Sequence, residues 1–169
     1  MDIRGKGQTG FSLIELLIVV AIILIIAAIA IPNLLRARMA ANEASAASGI
    51  RTINTAEITY NSTYPTVGYA ASLTVLGPSA ATPCAASSTN ACLIDSVLAS
   101  GTKSGFKFSE APGSVATPQV NYYTTATPVT LNQTGTRSFC AYEDAVVRVQ
   151  ITGATIGSEA ACQGLPPLQ

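Results

Sequence analysis

The 169-residue chain contains no histidine and no tryptophan, and charged residues make up only 11% of it. Without histidine, proton transfer near neutral pH falls to a shifted carboxylate, a lysine or a cysteine. Lys and Arg together number nine, as do Asp and Glu, so the formal net charge is zero. Such a chain has no field to steer nucleic acid or an acidic partner. It also lacks G-x-S-x-G, a P-loop and H-E-x-x-H, the spacings that would place a nucleophile, a phosphate or a zinc ion. No close pair of carboxylates stands out in the C-terminal two thirds. The adjacent Glu143 and Asp144 read as solvated turn residues. These absences exclude the common enzyme classes, and no catalytic residue, metal or cofactor is expected.

Four cysteines are present, Cys84, Cys92, Cys140 and Cys162. No Cys-x-x-Cys occurs, so zinc ligation is disfavoured, and an even count in an exported domain favours disulfides. Four cysteines allow three pairings. Loop closure favours Cys84–Cys92 and Cys140–Cys162, though by only about 0.6 kcal/mol per doubling of loop length. Four buried free thiols are the alternative.

The apolar residues are concentrated near the N-terminus. Residues 16 to 31 are sixteen apolar side chains without a break, and from Phe11 onward only Ser12 and Glu15 interrupt the run. As a helix this segment spans about 30 Å, one bilayer core. A short polar stretch with Arg4 and Lys6 precedes it, as expected for a cytoplasmic flank. An ordinary signal peptide is the competing reading, with Ala28-Ile29-Ala30 as its small-x-small site. The run is longer than a usual signal core, carries a carboxylate in its first turn and is followed by Pro32. A charge in a membrane span costs roughly 2.5–3.5 kcal/mol at the centre and less near an end, so Glu15 calls for a role. Complementing the helix macrodipole is one such role. Pro32 removes one helical hydrogen bond and is expected to kink the helix.

The stretch Gly10-Phe11-Ser12-Leu13-Ile14-Glu15-Leu16-Leu17-Ile18-Val19-Val20 resembles the class III signal sequence of type IV prepilins and type II secretion pseudopilins. The resemblance covers residues 1 to about 64 and loosens beyond. It implies cleavage between Gly10 and Phe11 by prepilin peptidase, N-methylation of Phe11, and a role for Glu15 in docking the subunit into a growing filament. Glu15 lies one helical turn beyond Phe11. Its carboxylate is placed to pair with the new Phe11 amine, its own or that of a neighbouring subunit. The implied partners are copies of the chain in a helical filament, the peptidase, the membrane, and an inner-membrane assembly platform with ATPase-driven machinery. The precursor is expected in the inner membrane as a single-pass protein, and the assembled subunit in a periplasmic or extracellular filament.

The expected fold class is α+β. Residues 1–10 form a leader, 11–32 a transmembrane and assembly helix, 33–64 its amphipathic half, and 65–169 a globular head. Ala46, Ile50, Ile53, Ala56 and Tyr60 recur at steps of three or four, while Arg36, Arg38, Glu43, Arg51 and Glu57 are assigned off that stripe. Pro65 ends the helix. Short helices are expected at 71–76 and between Cys92 and Gly101. Segments 104–109, 119–126, 137–142 and 145–151 read as strands, the last two joined by a two-residue hairpin at Glu143-Asp144. The result is three or four antiparallel strands packed on the helix. The order Thr-Gly-x-Arg-x-Phe before a hairpin resembles the C-terminal sheet of pilin heads. By the same resemblance, residues 140–162 are a disulfide-bounded loop exposed on a filament. A major pseudopilin is the alternative function, and that family typically binds calcium in a C-terminal loop. Calcium wants six to eight oxygens, and after the hairpin the tail offers only Glu159. A membrane-anchored binding module is the third reading.

Overall fold

The computed structural model describes residues 11–79, 83–113 and 118–169. The chain divides into two compact units, Met1–Ala37 and Arg38–Gln169. Helix α1, Leu13–Thr63, runs through both and includes Pro32. Of the proposed leader, residues 1–10, nothing is described.

In the second unit α1 buries one face. Ala46, Ile50, Ile53, Ala56 and Tyr60 are at most 4% exposed, as their spacing predicts. Two residues assigned off the stripe are corrected: Glu43 and Glu57 are buried as well. The reason is arithmetic, since 43, 46, 50, 53, 57 and 60 follow one alternation of three and four. The opposite face is lined with threonines. Thr52, Thr55, Thr59 and Thr63 are exposed, and each donates its hydroxyl to the carbonyl four residues back.

After α1 the chain turns at Tyr64, forms the single turn α2, Leu73–Leu76, and then α3, Ser96–Ala99. Asp95 caps α3 by accepting the Leu98 N–H at 2.8 Å, one of the orphan donors of a helix start. Gly101 follows with φ +77°. Gly68 carries a more stringent demand, with φ +86° and the Gln119 backbone 2.1 Å from where a Cβ would lie. Any side chain there would collide with main chain that cannot swing aside.

Five strands form an antiparallel meander in the order β1-β2-β3-β4-β5. They are β1 Thr102–Lys103, β2 Phe106–Pro112, β3 Tyr122–Pro128, β4 Ser138–Tyr142 and β5 Arg148–Gln150. The α+β class is borne out, with five strands where three or four were expected. The additional strand is the two-residue β1, which pairs with β2 only because Ser104 and Gly105, both at positive φ, reverse the chain. Residue 119 belongs to no strand, since Gln119 bridges Gly68 instead. The two-residue hairpin is also corrected. Cys140 faces Arg148 and Phe139 faces Val149, one residue longer than a Glu143-Asp144 turn allows. The Ala145 N–H returns to the Tyr142 carbonyl at 2.8 Å, and Ala145 sits at φ +58°. This is a turn followed by a left-handed residue, the three-residue hairpin solution.

One face of β2 alternates inward through Phe106 and Phe108. With Phe139, Ile50, Ile53, Leu76 and Leu98 these form the main core. Gly49 of α1 permits the approach, as a Cβ there would lie 2.7 Å from the Phe108 ring. A second, smaller cluster joins Cys140, Ile156 and Cys162, with helix α4, Glu159–Gln163, behind it. Residues 166–168 return along β5, Val149 donating to the Pro166 carbonyl and Leu168 to that of Val147. The tail thus covers what would be an open sheet edge.

Candidate assembly site

Ser12 is the residue before the first helical position of α1, and Glu15 is the third residue inside. The Glu15 carboxylate accepts the Ser12 backbone N–H at 2.9 Å, while the Leu16 N–H reaches the Ser12 carbonyl at 3.3 Å. This is the return half of a capping box, and a negative charge there also suits the helix dipole. The Ser-x-x-Glu spacing that encodes it was legible beside the prepilin motif. Gly10 lies outside the described residues. Phe11 is 83% exposed.

Every large apolar side chain from Phe11 to Ile31 is exposed. The most apolar eighteen-residue stretch of α1 has a mean hydropathy of 3.3, and none of it is buried. A core helix of a soluble protein buries at least one stripe. This one is long and apolar enough to cross a membrane. Pro32 lies inside α1, and its ring lacks the N–H that would reach the Ala28 carbonyl.

The second unit holds its polar groups in pairs. Glu43 accepts from the Thr136 N–H at 2.7 Å, the Thr136 hydroxyl at 2.9 Å and the Arg137 Nε at 2.8 Å. Burial opposes its charge. The Thr136 amide and the Arg137 guanidinium outweigh that and hold the carboxyl below its ordinary range. Asp144, read as solvated, is bidentate with Arg148 at 2.7 and 3.1 Å. The Arg148 guanidinium also stacks 4.4 Å from the Tyr142 ring centre. Asp95 pairs with Lys103 at 3.0 Å. A further correction concerns carboxylate pairs, which the sequence did not reveal: Glu57 of α1 and Glu110 of β2 act on each other in the interior, with Glu57 Oε1 and both Glu110 oxygens buried and unpartnered.

Disulfides join Cys84 to Cys92 and Cys140 to Cys162, and none of the four is free. In the first, Cys84 is exposed and Cys92 half-buried, whereas both cysteines of the second are fully buried. Among the described residues no group of three or more acidic, Cys or His side chains could hold a metal ion. Glu159 is engaged by Asn121 Nδ2 at 3.0 Å and Gln163 Nε2 at 2.9 Å. A groove of about 450 Å³ lies on the outer face of β2 and β3, floored by Lys107, Ser109, Tyr123, Thr125 and Thr127. It offers hydroxyls and one amine without a general base beside them.

Residues 5–31 match the family described as the prokaryotic N-terminal methylation motif. A segment of 38 residues is 63% identical to the type IV wide pilus major component PilA4 of Thermus thermophilus. The aligned segment covers 22% of this chain and 29% of that protein. No solved structure matches the chain. The N-terminal segment of the chain, a methylation motif on a bare apolar helix, is thus similar to that of a type IV pilus component, over less than a third of either chain.

Proposed function

We propose that the chain is the precursor of a structural subunit of a type IV pilus-like filament. Residues 1–10 are a leader, cut between Gly10 and Phe11 by a prepilin peptidase, and the new Phe11 amine is methylated. The precursor waits in the inner membrane, and an ATPase-driven assembly platform moves it into a filament of identical copies. The observation that carries this reading is the uncovered apolar surface from Phe11 to Ile31, which lies within the stretch that matches the methylation motif. Lipid covers that surface in the precursor, and neighbouring helices cover it in a filament. Because lipid tails are as apolar as the side chains, the exchange has little hydrophobic driving force. An external motor is therefore required.

Glu15 has a different partner at each stage. In the uncut chain it caps the Ser12 N–H. Once Phe11 carries a free ammonium one turn away, a charged donor competes for the same carboxylate, and charge-assisted bonds are roughly twice as strong as neutral ones. In the apolar surroundings of a helix bundle that attraction draws an incoming subunit into register.

A pilus subunit is favoured over a secretion pseudopilin. Glu159, the acidic residue of the tail, is bonded by two amides, which present N–H donors where a calcium ion needs oxygens. The tail is held by Cys140–Cys162 instead. Mass spectrometry of the mature chain is the direct test and should find methylated Phe11 at the N-terminus. A chain starting at Ile31, or monomers without fibres in sheared surface material, would favour a secreted or merely anchored domain.

A further inference from the structure

Strand β2 sends Phe106, Phe108 and Glu110 to the side of the sheet that faces α1, and α1 sends Glu57 to meet it. Glu57 is 0% exposed. Its Oε2 accepts the Ala70 N–H at 2.9 Å. The Glu57 Oε1 and both Glu110 oxygens are buried with no N–H or hydroxyl donor aimed at them. The two carboxyl groups lie on the facing sides of α1 and the sheet, and each acts on the other. Two ionised carboxylates in a dry interior repel and can form no hydrogen bond, whereas one proton between them both neutralises a charge and makes the bond.

The surrounding groups do not offer another solution. On α1, Asn54 accepts the Tyr122 hydroxyl at 3.1 Å and Tyr60 donates to the Ser88 carbonyl. From the segment after α1 comes Tyr69, stacked on Tyr122 of β3 with ring centres 4.8 Å apart. From the β4–β5 turn comes Asp144, bound by Arg148. Arg137 is paired with Glu43 and Lys103 with Asp95. Lys107 and Arg51 lie on the outward faces of β2 and α1. What acts on the pair is burial, each carboxyl on the other, and the Ala70 amide.

We propose that Glu57 and Glu110 share a single proton across the contact between α1 and the sheet, forming a clasp that loosens as pH rises. Burial first, and then the neighbouring carboxyl, push Glu110 well above the ordinary carboxylate range, and burial raises Glu57. The folded chain therefore keeps a proton that the unfolded chain releases. Stability is fully present below the unfolded carboxyl pKa and declines as pH climbs above it, until the native pair itself ionises. A buried metal ion fits less well. Two carboxylates fall short of six to eight oxygens, and the Ala70 N–H presents a positive end to the site.

The test uses the full chain in detergent micelles, with tyrosine near-ultraviolet dichroism following the melting of the head. Between about pH 5 and pH 9 the wild-type midpoint should fall by about 5 °C. Glu110→Gln, whose amide donates to Glu57 without a titrating proton, should abolish most of that slope. A flat wild-type profile, or an unchanged slope in the variant, overturns the proposal. Should Glu110→Gln fail to fold, infrared spectroscopy of the wild type still decides. A protonated carboxylic acid band must persist near neutral pH, and its absence overturns the shared proton. If millimolar calcium raises the wild-type midpoint at alkaline pH and Glu110→Gln removes that effect, the pair is a cation site and the clasp is wrong.

Discussion

Two stretches of one helix, residues 13–31 and 43–60, treat their apolar side chains in opposite ways. In the first, every Leu, Ile and Val is exposed around the full circumference. In the second, the apolar residues except Ala44 and Ile58 fall on one stripe and are covered by the sheet and by α2 and α3. The difference is one of pattern. A stripe of small and branched residues at steps of three and four needs a partner within the same fold. An all-round apolar surface has no partner there and awaits lipid or other helices. Charge is handled accordingly. The first stretch carries one carboxylate at its very start, and the second carries two, both buried and both answered by the head.

The comparison can be broken most severely in the core. Phe106→Ala should destabilise the head by about 4 kcal/mol, since the ring is fully buried against Phe139. Ile23→Ala, the same kind of truncation at a 57% exposed site, should leave head melting unchanged. If both lowered the midpoint equally, the two stretches would not differ as described. Next in size is the buried disulfide, which closes a separation of 22 residues. Replacing Cys140 and Cys162 by Ser should cost about 3 kcal/mol in denaturant unfolding. The more exposed Cys84–Cys92 bridge should be the first to yield to mild reductant, as judged by differential alkylation.

Removing the guanidinium that answers Glu43 comes third. Arg137→Ala should cost about 2 kcal/mol, less than a fully buried pair because the arginine is 43% exposed. The pH signature distinguishes this pair from the Glu57–Glu110 pair. The Glu43 carboxyl is held below its ordinary range, so its stabilisation is present above the unfolded carboxyl pKa and disappears as pH falls through the lowered one. A wild-type and Arg137→Ala pair of acid titrations should converge at low pH. Gly49→Val, which drives a side chain into the Phe108 ring, should cost about 2 kcal/mol by equilibrium unfolding. The smallest effect belongs to the first stretch. Glu15→Gln removes the charge from the cap at Ser12, worth about 0.5 kcal/mol of local helix stability. The head midpoint should not move, while filament formation should be impaired. Wild-type filament levels in that variant would return Glu15 to a purely local role.

Much of this was legible in the residues. The 46-50-53-56-60 stripe and the aromatic alternation of β2 follow from periods of 3.6 and 2, and the apolar run from its length, whereas the Gly10-Phe11 junction with Glu15 rests on the family resemblance. The errors over the carboxylates share one cause, an assumption that charge faces water. Glu43 and Glu57 obey the stripe spacing, and Glu110 obeys the alternation after Phe106 and Phe108. Their partners, Arg137 and one another, are distant in sequence, and only tertiary contact reveals them. Strand β1 escaped because two residues carry no period. The β4–β5 turn escaped because a left-handed Ala145 has no compositional mark.

The threonine row on the far side of α1 changes what that surface is made of. Counted by composition it is polar, yet four hydroxyl protons are already engaged by the helix's own carbonyls. With each hydroxyl folded back onto the backbone, the methyl group of the same side chain is the atom left to meet whatever lies outside. Water finds few free donors there and is left with the hydroxyl lone pairs, so covering the face breaks fewer hydrogen bonds than a hydroxyl-rich surface ordinarily would. A surface polar by its nominal chemistry is thus, atom by atom, easier to dry than its threonine count suggests.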